Sequence, residues 1–176
     1  MTLTPRVRKV ALALHLTVSV GWIGAVVSYL ALGIAAVTSD ETRTVRGAWT
    51  FMELTGWYVI VPLAVASLIT GILMAVGTKW GLFRHYWVLC SLVLTVIATA
   101  VLLLHMPDVS ATAHAAQDAE GGALESLGGD LAHPTIGLVM LLVIQVLNVF
   151  KPAGVTRYGW RKQREEREAR ELTNVP

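Results

Sequence analysis

The sequence predicts an all-α integral membrane protein, a four-transmembrane-helix bundle whose N-terminus and C-terminus are both cytoplasmic. Of its 176 residues, 55% are hydrophobic and only 15% are charged, so the chain is more apolar than an ordinary soluble domain. Four long tracts contain no Asp, Glu, Lys or Arg. Each provides, alone or with a few flanking residues, the roughly 20 apolar residues that one span requires.

The four uncharged tracts define the spans in chain order. The first is much longer than the apolar core of a signal peptide, which has about 7 to 15 residues, and is therefore interpreted as a retained helix. The fourth reaches the required length only when Leu131 to Pro134 is included. The predicted spans are 10–37, 54–76, 86–104 and 131–150. Residues 1–155 then form one transmembrane domain, and residues 156–176 form a charged cytoplasmic tail.

The distribution of basic residues predicts the orientation. Three Lys or Arg residues precede the first span, two lie between the second and third spans, and seven follow the fourth. Only Arg43 and Arg46 lie between the first and second spans, and none lies between the third and fourth. Because basic residues near span ends remain in the cytoplasm, both termini are predicted to be cytoplasmic.

The connection from Met106 to Asp130 is then external and acidic. It contains five acidic residues and no Lys or Arg. Pro107 is expected to end the third helix, after which the stretch from Asp108 to Glu120 can form a short surface helix. The connection is either a solvated loop or a surface that attracts cations.

The tail from Arg157 alternates basic and acidic residues, which is typical of an exposed helix or of a disordered extension with internal ion pairs. Its membrane-proximal basic residues favour contact with anionic lipid. Nucleic-acid binding is a poor fit, since the glutamates offset the positive charge and no recognition fold is present. Ten arginines against four lysines, with abundant Ala, Val and Gly, indicate a GC-rich bacterial source and hence the bacterial plasma membrane.

The remaining motifs exclude several kinds of chemistry. The single cysteine, Cys90, excludes an intramolecular disulfide and a cysteine-based metal site. The sequence also lacks a phosphate-binding Gly-rich loop, a nucleophile elbow and paired carboxylates within a span. Hydrolase chemistry is therefore unsupported, and the histidines carry the functional prediction.

The five histidines form two groups along the bundle: His15 and His85 near the cytoplasmic side, and His105, His114 and His133 near the external side. Imidazole is a common ligand of haem iron, copper and zinc. Because the third and fourth helices are expected to be antiparallel neighbours, His105 and His133 should lie at one height. This arrangement predicts ligation of one haem b by both imidazoles, with His114 as a substitute or as a third ligand of a metal ion. The alternative is that these histidines are polar residues of the membrane interface.

His15 lies inside an otherwise apolar helix. It begins a stripe of His, Ser, Trp, Val, Tyr and Gly at positions 15, 19, 22, 26, 29 and 33, which is expected to face the bundle interior. Gln145 and Asn148 fall near the same depth and are candidate hydrogen-bond partners of His15. Such a residue is either a functional group, here a haem ligand together with His85, or a neutral histidine that holds two helices together.

Several short motifs along the chain resemble those of a known family. They are His15 followed by Trp22 and Gly24, the WGLFRHYWVL entry to the third helix (Trp80 to Leu89), His105 at the end of that helix, His133 at the start of the fourth, and KPAG before the basic tail. With these motifs the chain resembles an uncharacterised actinobacterial four-span integral membrane protein family, a domain of unknown function in the wider superfamily of CopD-like and HemJ-like membrane proteins.

The resemblance implies roles for some residues. In HemJ-type protoporphyrinogen oxidases the histidine of helix one is a haem ligand, and His15 matches it. Those enzymes also use a lysine early in the third helix, whereas this chain has no lysine between Tyr86 and Ser91, so the oxidase activity is not implied. CopD-like proteins are linked to copper handling, but the five methionines here form no paired thioether motif that suits Cu(I).

Three functions follow as hypotheses. The first is a membrane-embedded b-type haem-binding protein, active in electron transfer or linked to redox, with His15, His85, His105 and His133 as candidate ligands. The second is a copper or other metal uptake or resistance component that uses His105, His133 and His114. The third is a structural accessory membrane subunit without cofactor. The expected partners are the lipid bilayer and either a membrane redox partner or further copies of the chain.

Overall fold

The computed structural model describes residues 4–78 and 81–173, and the chain is helical through most of these ranges. Within them no strand forms, apart from an isolated bridge between His85 and Val155. The helices are α1 (Pro5–Thr38), α2 (Thr42–Thr55), α3 (Val61–Gly77), α4 (Tyr86–Asp118), α5 (Gly122–Glu125), α6 (Ala132–Phe150) and α7 (Arg157–Thr173), and a π-helical turn (Gly56–Ile60) joins α2 to α3.

Four helical segments are long and apolar enough to cross a membrane, which confirms the predicted all-α fold and the number of candidate spans. They are Pro5–Thr38, Thr42–Gly77, Tyr86–Asp118 and Ala132–Phe150. Helix α1 packs on α2, α3 and α6, and α4 packs on the same three helices. The spans therefore form a closed four-helix arrangement with the expected neighbours α4 and α6 in contact.

We name the two ends of the bundle by their connections. The loop end comprises residues 38–42 and 119–131, and the tail end comprises residues 78, 81–85 and 151–157. The stripe on α1 faces the interior as predicted, because Trp22, Val26, Tyr29 and Gly33 are buried. This stripe runs from the tail half of the bundle to the loop end and connects the two regions that are described below.

Helix α4 continues well past Pro107 and ends at Asp118, so the prediction that Pro107 ends the third helix was wrong. The missing N–H of a proline removes one helical hydrogen bond, but packing against neighbouring helices tolerates this loss. Here α2 supplies that packing. The buried residues of this contact are Val45, Ala48, Trp49 and Met52 of α2 and Val109, Ala113 and Ala116 of α4.

Arg46 fixes the far end of α4. Its Nε donates to the carbonyl of Ala116 at 3.1 Å, and its Nη2 donates to the carbonyl of Ala119 at 2.7 Å. The last carbonyls of a helix have no partner within the helix, so the guanidinium acts as a C-terminal cap. The first half of the acidic connection, up to Asp118, is therefore part of α4, and the second half contains the short helix α5.

A π-helical turn allows α2 and α3 to form one continuous helix. Pro62 lies at the start of α3, and its ring would crowd the carbonyl of Tyr58 in a regular α-helix. The wider turn inserts an extra residue at this point. Gly56 in the same turn allows a close approach to α4, since a Cβ there would lie 2.5 Å from Cε of Met106.

The tail forms the helix α7, which settles the choice between helix and disordered extension for residues 157–173. Thr156 accepts a hydrogen bond from the backbone N–H of Gly159 at 3.0 Å and donates to the carbonyl of Phe83. An ion pair between Arg84 and Glu166 joins the same two segments. The tail is thus attached to the connection between α3 and α4.

Candidate metal site at the loop end

Four side chains from different parts of the chain meet at the loop end. His105 Nε2 lies 2.7 Å from Asp130 Oδ2, and the hydroxyl of Tyr29 donates to the same oxygen at 3.0 Å. His133 Nδ1 lies 3.2 Å from the other carboxylate oxygen of Asp130. Asp130 is therefore the centre of a cluster that joins α1, α4 and α6.

The two imidazoles lie face to face. Their ring centroids are 3.6 Å apart and their planes differ by 20°. One ligand atom each from His105, Asp130 and His133 can be chosen so that all three lie within 4.8 Å of one another. Two imidazole nitrogens and a carboxylate oxygen at such spacing are a set of ligands for one metal ion. The lone pairs of an imidazole lie in the ring plane, so one of the two stacked rings must rotate out of the stack for both to reach the same ion.

A close backbone contact positions Asp130. A Cβ on Gly33 would lie 2.7 Å from the carbonyl oxygen of Asp130, and a Cβ on Gly129 would lie 2.5 Å from the carbonyl oxygen of Gly33. Only glycine at both positions permits this approach without a shift of the chain. The end of the acidic connection is therefore held against α1 directly above Tyr29.

The cluster grades from buried to exposed. The side chain of Asp130 is 8% exposed and that of His105 is 18% exposed, whereas that of His133 is 52% exposed. In residues 4–78 and 81–173, no Lys or Arg forms an ion pair with Asp130. A buried carboxylate needs hydrogen-bond donors or a cation, and here the donors are one phenol and two imidazoles. His133 is therefore the most accessible of the three candidate ligands in the cluster.

A mainly apolar cavity of about 180 Å³ adjoins the cluster. His105, Asp130 and His133 line one side of it, and Trp22 and Leu141 line the side toward the tail end. Met106 and Met140 also contribute to the lining. The apolar side chains that line this cavity lie between the cluster and the tail half of the bundle.

The structure places the predicted histidines in three different settings. His105 and His133 meet at one height, as expected from the antiparallel helices. His114 is not on a loop but on the extension of α4, where its side chain is 79% exposed and its Nε2 lies 3.9 Å from Glu53 Oε1. It is nine residues from His105, which corresponds to about 13 Å along a helix, so it lies apart from the cluster.

The two tail-end histidines are also separate from the cluster. His85 is the N-cap residue of α4, and its ring centroid lies 6.4 Å from that of Trp87. His15 Nδ1 lies 2.9 Å from Thr70 Oγ1. Gln145 and Asn148 line the same cavity as His15, but the hydrogen-bond partner is Thr70, so the prediction of Gln145 or Asn148 as the partner was wrong.

The geometry bears on where a haem fits. Two axial imidazoles must approach iron from opposite faces of a porphyrin. The rings of His105 and His133 are instead stacked on each other at 3.6 Å, so these residues do not fit a haem held between them in this arrangement. Among the described residues that line the cavity of His15, no second histidine is present.

Sequence reasoning missed Asp130 and Tyr29. The spacing of Asp130 and His133 was the available signal, since a carboxylate just before a helix can reach a side chain in the first turn of that helix. Tyr29 was placed on the interior stripe of α1 but was given no role. Its hydrogen bond to Asp130 joins residues that are 101 positions apart in the sequence. No local sequence pattern predicts such a contact.

Fold and cluster together define a four-helix membrane protein with a His–Asp–His group at one end of its bundle. No family model, curated protein or solved structure matches the chain.

Proposed function

We propose that this protein binds a divalent transition-metal ion, Cu²⁺ or Zn²⁺, at its loop end, as a component of metal uptake or resistance. The observation that carries the proposal is the convergence of ligand atoms from His105, Asp130 and His133 within 4.8 Å. Two imidazoles and one carboxylate are a common set for these ions, and three protein ligands leave a further position for water or for a ligand of a delivery partner.

The surroundings of the cluster support the choice of ion. A metal would replace the protons through which His105 and His133 now bond to Asp130, and metal binding of this kind releases protons. Tyr29 would then orient the carboxylate as an outer hydrogen-bond donor. The four side chains of the cluster include no thiolate or thioether, so the cluster itself suits Cu²⁺ or Zn²⁺ better than Cu⁺, and Met106 and Met140 line only the adjoining cavity.

The proposed orientation places the cluster outside the cell. Arg84, Lys151 and Arg157 belong to the tail end or border it, and basic residues near span ends remain in the cytoplasm. The loop end is then external, and the membrane is the bacterial plasma membrane. In this orientation the half-exposed ring of His133 faces the medium from which an ion would arrive.

Calorimetric titration of the purified protein with Zn²⁺, repeated with Cu²⁺, tests this function. The wild type is expected to bind one ion per chain. His105→Ala and Asp130→Asn should each weaken binding by about 100-fold or more, because even outer-shell changes cost roughly 10- to 100-fold. His114→Ala is the matched control and should bind as the wild type does. Equal affinity in all four proteins would contradict the proposal.

The haem hypothesis remains a prediction from the sequence, and one absorbance spectrum of the same preparation tests it. A Soret band that is lost in His15→Leu would support haem ligation by His15. A preparation that binds neither haem nor metal would favour the structural accessory subunit.

A further inference from the structure

A second cavity lies in the tail half of the bundle, away from the metal cluster. It has a volume of about 380 Å³ and lies between α1, α3, α4 and α6. Trp22 and Leu141 line both cavities and so separate this space from the cluster at the loop end. Its volume and its largely apolar lining are typical of a small-molecule site.

Polar groups from all four helices converge on this cavity. They are His15 and Ser19 of α1, Ser67 of α3, Ser91 and Thr95 of α4, and Gln145 and Asn148 of α6, and Thr78 and Lys151 line the cavity at the tail end. Most of these hydroxyls are already engaged. Ser19 and Ser67 bond to each other at 2.9 Å, and Thr95 donates to the carbonyl of Ser91 at 2.7 Å.

Ser91 differs from the other hydroxyls. Its side chain is buried, with a relative exposure of 7%, and its Oγ has no hydrogen-bond partner in the described part of the chain. An unpaired buried hydroxyl is unfavourable at membrane depth, where no bulk water can replace the missing bond. A ligand with a hydrogen-bond acceptor would satisfy Ser91.

His15 offers the complementary group. Thr70 Oγ1 lies 2.7 Å from the carbonyl of Ala66 and has only one proton to donate. When Thr70 donates to Ala66, it must accept from His15 Nδ1, which lies 2.9 Å away. The neutral imidazole then carries its lone pair on Nε2, where it accepts a hydrogen bond from a ligand hydroxyl.

We propose that this cavity binds a membrane quinone or its quinol. Ser91 requires a hydrogen-bond acceptor, which a quinone and a quinol both offer, and His15 requires a donor, which only the quinol offers. The oxygens of a quinone accept hydrogen bonds, and those of a quinol also donate them. The flat ring suits a cavity that Trp22 and Trp87 line. A plain acyl chain would leave Ser91 unpaired, so it fits less well.

Fluorescence titration of the purified full-length chain in detergent measures this binding. The probe is a benzoquinone with a short alkyl tail, and binding should quench Trp22 and Trp87. Ser91→Ala is expected to weaken the affinity by about tenfold, because one hydrogen bond is lost. Ser28→Ala is the matched control, since Ser28 is exposed on α1 and bonds only to the carbonyl of Gly24 among the described residues. It should bind like the wild type.

The melting temperature separates a binding defect from a folding defect. Without quinone, Ser91→Ala should melt at the wild-type temperature or higher, because it removes a hydroxyl that has no partner. Asp130→Asn should keep the wild-type affinity for quinone, so failure of the metal site leaves this test intact.

Three results would overturn the proposal. One is equal quinone affinity in the wild type and Ser91→Ala. Another is that an alkyl alcohol of the same tail length competes with the quinone with equal affinity and prevents tryptophan quenching. That result would assign the cavity to acyl chains. The last is a Soret band that disappears in His15→Leu, which would assign the cavity to haem.

Discussion

At the residue scale, Asp130 organises the loop end because its two carboxylate oxygens accept hydrogen bonds from side chains of α1, α4 and α6. Its carboxylate is 8% exposed and depends on donors for its charge to be tolerated. Tyr29 is the one donor of the three that would not become a metal ligand. Its effect on an ion is therefore indirect, through the orientation of the carboxylate.

The first prediction at this scale concerns Tyr29→Phe. Removing the hydroxyl deletes the 3.0 Å hydrogen bond to Asp130 but keeps the aromatic ring in its buried position. Affinity for Zn²⁺ should fall by roughly 10-fold, within the range known for outer-shell changes. Tyr58→Phe is the control, because Tyr58 is 76% exposed. Wild-type affinity in Tyr29→Phe would show that the phenol does not support the site.

At the scale of elements, the site depends on contacts that local sequence does not encode. The antiparallel hairpin of α4 and α6 brings His105 and His133 together, and this was predictable from the uncharged tracts. Asp130 lies beside them at the point where Gly129 packs closely on Gly33 of α1. The extension of α4 was missed for a similar reason, since Pro107 is a local stop signal that packing against α2 overrides.

The second prediction tests this backbone contact with Gly33→Ala. The added methyl would lie 2.7 Å from the carbonyl oxygen of Asp130, so the connection must move. We expect a loss of about 1 to 3 kcal/mol in stability, as for other overpacked sites, together with weaker Zn²⁺ binding. Thermal melting and calorimetry measure the two effects.

Gly24→Ala is the matched control for this prediction. Gly24 lies on the same helix, and a Cβ there meets nothing within 4 Å. The Gly24→Ala protein should be more stable than the wild type by no more than about 1 kcal/mol, because alanine has the higher helix propensity. If both variants behaved alike, the contact between Gly33 and Gly129 would not be what positions Asp130.

At the scale of the whole molecule, two internal regions lie along one interior stripe of α1. Tyr29 belongs to the cluster at the loop end, and His15 belongs to the cavity in the tail half, with Trp22 between them. Composition predicted the four spans because a charge-free tract of sufficient length has few other folds available. It could not predict the cavities, since these depend on how the four helices pack.

The last prediction concerns the orientation of the whole bundle and uses two exposed alanines. Ala115 lies on the extension of α4 beside the loop end, and Ala153 lies at the tail end. In a Cys90→Ala background, Ala115→Cys should react with an impermeant maleimide added to intact cells, whereas Ala153→Cys should react only after lysis. The physical reason is the retention of the tail-end basic residues in the cytoplasm. The reverse labelling pattern would place the metal cluster inside the cell, where an ion would be bound for export or storage rather than captured from the medium.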